Sequence, residues 1–383
     1  MILLEEPYVS DFLIDTIQKN SFNVLQNDFA CQYMLENQLI PSSLAVKSYT
    51  DNNELFYTNS ENAIGWISKN LSGTKLAAMI DLCKNKAAFR RKIRPLYPDY
   101  FFEECTFQQL RTLDTATLKF PLILKPSVGF LSFGVYPVKN AEEWAATLNT
   151  LALEIEKIRG VFPDEVVDIN NFIVEELIDG EEFAIDAYFD GNGKSTILNI
   201  FKHPFFNEKD VSDRAYYTSK AIIETYLEPF QSILDKIGKT LDFQNFPFHL
   251  ELRVNGNKII PIEMNPLRFC GWCITDIAQH AWGINVYEYY FKQLKPDWKQ
   301  ILSHADDELY YFTMAEVPSD IEKEAITHID FGNYLQHIKN PLEVRKIDHT
   351  TKPVFAIVFA KTPSVDEIKN ILRLDMHRFI FLV

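Results

Sequence analysis

Near the middle of the chain two runs, FHLELRV (248–254) and KIIPIEM (258–264), alternate apolar and polar residues with the two-residue period of a half-buried strand. Asn255-Gly256-Asn257 between them is a turn signal, so a two-stranded hairpin is expected here. Apolar spacing of three and four predicts helices over 9–20, 61–71, 76–93, 141–158, 275–294 and 364–374. Strand-like runs fall at 1–6, 22–27, 120–126, within 172–189, and at 308–317 and 352–361. The first eighty residues therefore read as short αβ units of a small parallel-sheet domain, one that lacks a GxGxxG turn. Pro95 and Pro98 punctuate the helical stretch that follows, and the fold class as a whole is α/β.

The hairpin has chemical content. Residues two apart on a strand share a face, so Glu263 and Asn265 project together, and a paired strand brings Glu251 opposite them. Three hard oxygen donors on one face suit magnesium, which takes carboxylates together with substrate phosphates. The competing reading is a solvent-facing polar stripe on an antiparallel sheet. His249 shares that face and would either touch phosphates or be a satisfied sheet histidine.

Two other stretches change the balance. FPLILKPSVGFLSFGVYPV (120–138) is an apolar strand ending in Lys125, followed by a loop with Ser127, Gly129, Ser132 and Gly134. Glycines let backbone N–H groups approach a phosphate, serines add donors, and a strand-end lysine adds a point charge. The lysine precedes the glycines, so this is no Walker loop, and a plain hairpin loop is the alternative. FIVEELIDGEEFAIDAYFD (172–190) places acids around a glycine turn between two apolar strands. Glu175, Glu176 and Ile178 fit the edge of an adenine and Glu182 fits ribose hydroxyls, against the alternative of a charged hairpin.

Composition narrows the field. With 383 residues and 47% hydrophobic content the chain can build a large core or two to four lobes. A formal charge of -15, from 38 basic and 53 acidic residues, argues against a nucleic-acid surface, and any polyanion must be met by a few focused cations. No apolar run approaches the roughly 18 residues of a membrane span, and MILLEEPYVSDF carries acids where a secretory signal would be basic. A cytoplasmic location is expected, with the five cysteines reduced.

Taken in order, Lys86, Lys125, the Glu175–Ile178 stretch, Glu182, Lys202, Glu251, Glu263 and Asn265 resemble the pattern of the ATP-grasp superfamily, with good motifs over roughly residues 85–295. The resemblance implies two α+β lobes clamping ATP, here expected at about 87–175 and 176–298 within a domain of 85–298. It also implies a preceding Rossmann-like domain at 1–84 and a C-terminal α/β subdomain at 299–383 that completes the large lobe. By resemblance Lys86 and Lys125 contact phosphates, with Ser127 and Ser132 in the covering loop. Glu175, Glu176, Leu177 and Ile178 read the adenine, Glu182 holds ribose, and Lys202 is a third nucleotide-facing cation with a catalytic part. Glu251, Glu263 and Asn265 hold Mg2+ or Mn2+.

The activity implied is ATP-dependent carboxylate-amine ligation through an acyl phosphate. The expected partners are ATP, a small carboxylic acid and an amine, and a homodimer is compatible with this. RFCGW (268–272) is similar to a segment of bacterial L-amino acid ligases, the dipeptide synthases, which implies that Arg268 binds the carboxylate or acyl phosphate and Trp272 walls the amino acid pocket. The alternatives are a ligase of another acid, such as a nucleotide precursor or a D-amino acid, or an ATP-binding regulator without turnover. Cys270-Gly271-Trp272-Cys273 also admits a thiol redox pair, a reading weakened by the absence of a thioredoxin-like start around it.

Overall fold

The computed structural model describes residues 1–127, 135–158, 170–205 and 214–383. The chain opens with a small parallel sheet of β1 (Ile2–Leu3), β2 (Val24–Leu25), β3 (Leu39–Ile40) and β4 (Tyr57–Thr58), in the order β3-β2-β1-β4. Helix Asp11–Asn20 makes the first crossover. Its N-cap is Ser10, whose side chain accepts from Leu13 N, and it buries Leu13 and Ile17 against the strands.

The helical run expected over 76–93 is two helices, Lys75–Lys84 and Lys86–Ile93. Asn85 breaks it, leaving helical geometry so that its side chain can accept from Ala88 N at 2.8 Å. The break puts Lys86 at the first position of a helix. The expected single helix over 275–294 is likewise divided, into Ile277–Trp282 and Val286–Phe291, at Gly283 (φ +67°), where a left-handed residue ends the first helix.

A second sheet follows: β5 (Phe102–Thr106), β6 (Leu122–Pro126), β7 (Tyr136–Val138) and β8 (Asn171–Glu176), antiparallel in the order β5-β8-β6-β7. Helix Ala141–Ile158 covers it, burying Trp144, Leu148 and Leu151 against Leu122, Leu124 and Val174.

The largest sheet contains β9 (Glu181–Phe189), β10 (Ser195–Lys202), β11 (Ala215–Thr218), β12 (Phe246–Asn255), β13 (Lys258–Pro266) and β14 (Leu309–Glu316). A two-stranded pair, β15 (Ile326–Ile329) with β18 (Ile380–Leu382), flanks it, and β16 (Pro341–Lys346) and β17 (Val354–Thr362) complete its edge. The order is β13-β12-β9-β10-β11-β14-β17-β16, so the last eighty residues extend the same sheet as the hairpin. Helix Lys220–Leu241 packs one face of it. Gly238 permits the close approach, since a Cβ there would lie 2.4 Å from the Phe189 ring. Among the described residues no helix is long and apolar enough to cross a membrane.

One buried ionic strut ties the C-terminal strands to the centre. Arg345 on β16 donates to Asp276 (Nη2, 2.8 Å) and to the Cys273 carbonyl (Nη1, 3.0 Å), and it also pairs with Glu343. Asp276 accepts from Tyr287 as well, and burial raises its carboxyl above the ordinary range. Removing one partner of a buried pair strands the other, so Arg345→Met is expected to cost about 3–5 kcal/mol in urea unfolding. Adding Asp276→Asn is expected to recover part of that loss. Equal stabilities for the single variant and the parent would exclude the strut.

Candidate active site

The hairpin forms as the alternation predicts, with Gly256 and Asn257 as its two-residue turn and Asn255 already paired with Lys258. Glu251 sits opposite Glu263 and His249 opposite Asn265, so all four share the sheet face away from helix Lys220–Leu241. A bulge after Glu251 leaves Ile262 as the extra residue. Asn265 Nδ2 donates to Glu251 Oε1 at 3.1 Å, which by elimination makes its Oδ1 the oxygen available to a cation.

Lys86 Nζ lies 2.9 Å from Glu263 Oε2, and the Lys86 backbone N–H donates to the Ser127 carbonyl at 2.8 Å, joining the helix start to the base of the serine-glycine loop. Burial works to raise the Glu263 carboxyl, but Lys86, helped by Lys125 and Lys84, holds it at about 2. Two opposed carboxylates and an amide oxygen fit magnesium by donor chemistry. Among the described residues no cluster of three or more His, Cys, Asp and Glu side chains could hold a metal.

Lys125 is buried at the end of β6 and pairs with Glu175, whose other oxygen accepts from Arg90 Nε at 2.7 Å. One carboxylate thus serves two cations and the group carries a net positive charge. Burial opposes the Glu175 charge, yet Arg90 and Lys125 hold its carboxyl at about 2. Lys125 moves the other way. Burial lowers it below the lysine range, and repulsion from Arg90 and Lys86 adds to that effect, so an arriving phosphate would relieve a strained ammonium. Arg90 also donates to the carbonyls of Pro261 and of the bulge residue Ile262, which locks helix Lys86–Ile93 to the hairpin.

The structure therefore brings Lys86, Lys125, Glu175, Glu251, Glu263 and Asn265 together. Glu175 is fully engaged by cations and is a mount for Lys125 rather than an open acceptor for a base edge. Glu176 and Leu177 follow it. Glu176 Oε2 accepts from Phe101 N (3.2 Å), and Leu177 N donates to the Pro121 carbonyl (3.0 Å). Glu182 lies on the site face of β9, paired with Arg253, whose Nη1 also reaches the Ile178 carbonyl at 3.2 Å. Ser127 is buried. Ser132, with Gly129 and Gly134, lies outside the described residues.

Lys202 does not join the others. It is register partner to Phe183, whose ring packs on Tyr226 and Phe230 of the long helix, so Lys202 belongs to the opposite face. Its ammonium pairs with Glu181 and lies 5.4 Å from the Phe183 ring centroid. The resemblance fixed its place in the chain but not its strand parity.

Beyond β13 the chain turns sharply through Leu267, Trp272 and Cys273, three non-glycine residues with φ between 53° and 61°. Contacts from every part of the molecule hold this turn. Thr58 N donates to the Leu267 carbonyl, and Glu61 takes Arg268 Nε and Nη2 at 3.0 and 2.8 Å. Asp186 accepts from both His249 Nδ1 (2.7 Å) and Cys270 N (2.8 Å), and Tyr8 stacks on Trp272 with centroids 6.4 Å apart. Arg268 is thus mounted on Glu61, itself paired with Lys84, and its Nη1 donates to the Phe269 carbonyl at 2.9 Å. Cys270 and Cys273 are buried and form no disulfide, and burial pushes the Cys273 thiol up to about 11, away from a reactive thiolate.

Sequence reading missed Arg90, Arg253, Glu61 and Asp186. Arg90 was legible as the i+4 neighbour of Lys86 and Arg253 as the i+2 neighbour of Glu251, while Asp186 is an acid within an apolar strand. Glu61 carries no local signal.

Two opposed carboxylates and an amide facing Lys86 and Lys125, between an antiparallel small sheet and a large one, accord with the ATP-grasp fold. Residues 118–276 match the family described as the ATP-grasp domain, so this part of the chain carries that domain. No curated protein sequence matches it.

Among solved structures, an L-amino acid ligase from Bacillus licheniformis is 16% identical with a TM-score of 0.70, over 100% of this chain and 98% of that one. The N5-carboxyaminoimidazole ribonucleotide synthetase of Thermotoga maritima is 13% identical with a TM-score of 0.65, over 100% and 98%. Phosphoribosylglycinamide synthetase from Anaerococcus prevotii is 14% identical with a TM-score of 0.58, again over 100% and 98%. Likeness at these identities establishes the shared fold.

Glu175 yields a pH prediction. Its folded value of about 2 lies below the ordinary 4.5, so its contribution is present above 4.5 and is lost as pH falls toward 2. Glu175→Gln is expected to lower stability at pH 7 by about 3–5 kcal/mol and to flatten the stability–pH curve over that window. Parallel curves for the two proteins would refute the assignment.

Proposed function

We propose that this protein is an ATP-dependent carboxylate-amine ligase that joins a small carboxylic acid, an amino acid, to an amine through an acyl phosphate. The observation that carries this reading is the opposed Glu251–Glu263 pair with Asn265, facing Lys86 and Lys125 beside an arginine, Arg268. The full-length likeness to an L-amino acid ligase supports the choice of substrate class.

In this reading Ile178 and its neighbours meet the adenine and Glu182 the ribose. Lys86 and Lys125 neutralise the phosphates, and Ser127 and Ser132 belong to the loop that covers them. Glu251, Glu263 and Asn265 hold magnesium, or manganese, which when bound supplies charge neutralisation and a template for the phosphates. Lys86 engages only Oε2 of Glu263, which leaves Oε1 for the metal, and the remaining Lys86 donors face the phosphates. Arg268 holds the substrate carboxylate, its fork oriented by Glu61, and Trp272 walls the pocket.

A carboxylate oxygen attacks the terminal phosphorus and ADP leaves. The amine then attacks the acyl carbon, releasing phosphate as the C–N bond forms and a proton is lost to solvent. No protein nucleophile is needed. The chain's own work is positioning, neutralisation and exclusion of water from the acyl phosphate. The domain and the absence of a membrane-spanning helix among the described residues are consistent with cytoplasmic, small-molecule chemistry.

The test is magnesium-dependent phosphate release from ATP across single and paired L-amino acids, with mass spectrometry of products. Expected is release that requires an amino acid and yields a new amide mass, with Glu263→Ala lowering turnover at least about a hundredfold while ATP still binds. Silence across the panel despite ATP binding would move the substrate to another acid, and parental rates in Glu263→Ala would remove the metal assignment. Cys270→Ser with Cys273→Ser is expected to leave ATP-dependent turnover within about threefold of the parent. Its complete loss would revive a thiol mechanism.

A further inference from the structure

The hinge that joins the two sheets, residues 177–180, is gripped by the far end of β12. Arg253 directs Nε (3.0 Å) and Nη2 (2.9 Å) onto a single oxygen of Glu182, and its Nη1 donates to the Ile178 carbonyl at 3.2 Å. Its guanidinium also lies 5.5 Å from the Phe205 ring centroid. Next along β12, the Val254 carbonyl packs so closely on Gly180 (φ +118°) that a Cβ there would lie 2.2 Å from the oxygen. Asn255 Nδ2 lies 3.4 Å from Asp179 Oδ2. Three consecutive residues of one strand therefore fix three consecutive hinge residues, Ile178 to Gly180, and Glu182 beyond them.

This arrangement has two physical consequences. Arg253 compensates the Glu182 charge, because a half-buried carboxylate on the face that receives a polyanion would otherwise add repulsion to nucleotide binding. Two N–H donors converging on one oxygen also fix the position of that oxygen more tightly than a single lysine donor would, and leave the other oxygen of Glu182 outside the fork. Arg253 stands two residues beyond Glu251 on the same face of the same strand, so a single rigid element spaces the nucleoside end of the site from its metal end.

We propose that Arg253 is the positioning residue of the nucleoside pocket. It holds Glu182 in the orientation that accepts a ribose hydroxyl and holds the Ile178 hinge in register with the metal hairpin, so that discrimination for ribose over deoxyribose depends on Arg253. The proposal rests on the ATP reading given above and deepens it.

The experiment is isothermal titration of the full chain, with magnesium, against ATP, 2′-deoxy-ATP and 3′-deoxy-ATP. The proteins are the parent, Arg253→Met, Arg253→Lys and Glu182→Gln. The parent is expected to bind ATP about tenfold more tightly than at least one deoxy analogue, the scale of one charge-assisted hydrogen bond. Arg253→Met and Glu182→Gln are expected to bring that ratio below about twofold.

Should Arg253→Met fail to fold, Arg253→Lys carries the test, with an expected ratio of about threefold. A merely structural arginine would lower the melting temperature and leave the ratio as in the parent, and that result overturns the proposal. A parent that binds ATP but shows no preference among the three nucleotides also overturns it while leaving the ATP reading standing. A parent that binds none of them overturns both.

Discussion

Strand β12 is paired along nearly its whole length on both sides, to β9 and to β13, and the positions of the large-sheet groups in the site follow from that double register. Pairing with β13 sets Glu251 against Glu263 and His249 against Asn265. Pairing with β9 sets Arg253 against Glu182 and His249 against Asp186. A slip of β12 by one residue would turn His249, Glu251 and Arg253 to the helix-covered face, where Leu250, Leu252 and Phe183 now pack, and would bury two charges in an apolar layer. The apolar residues of β12 thus enforce the register, and the polar residues between them inherit their geometry from it.

Charge in the site is arranged so that it is incomplete without a ligand. Glu175 serves both Lys125 and Arg90, Glu263 serves Lys86, and Glu61 serves both Arg268 and Lys84. Two of these three carboxylates are shared by two cations, so the five cations outnumber the four carboxylates, Glu251 included, in a chain whose overall charge is -15. A strongly acidic protein can meet a polyanionic nucleotide this way, because field at short range in a partly desolvated cleft outweighs the screened charge of the distant surface.

The turn after β13 shows how the outlying parts of the chain bear on the same site. Leu267, Trp272 and Cys273 adopt a backbone conformation that L side chains rarely occupy, and they do so under contacts from the N-terminal sheet, from Asp186 in the large sheet and from Arg345 on β16. Backbone strain of this kind persists only where the surroundings over-determine it. The first sixty and the last eighty residues, which carry no nucleotide motif of their own, both contribute to the shape of the turn that presents Arg268.

Much of this was written in local pattern. Period-two alternation and a glycine turn defined the hairpin and predicted that Glu251, Glu263 and Asn265 share a face, and the order of motifs along the chain specified the ATP-grasp fold. Local pattern also made errors of a definite kind. Asn85 and Gly283 divide helices that apolar spacing read as continuous, because capping and left-handed geometry act over one or two residues while periodicity averages over many. Lys202 was assigned to the site by its place in the chain, but its strand parity, set by pairing with Phe183, puts it on the other face. Glu175 was expected at the base edge, and in the structure it is held by Lys125 and by Arg90, which only the packed chain brings from 85 residues away onto the same carboxylate. The sequence alone determined which residues could act, because side-chain type and spacing are properties of neighbours along the chain. The tertiary structure alone decided which of them meet and which are already held by a partner, because ion pairs such as Glu61–Arg268 and Arg345–Asp276 join residues that no local pattern connects.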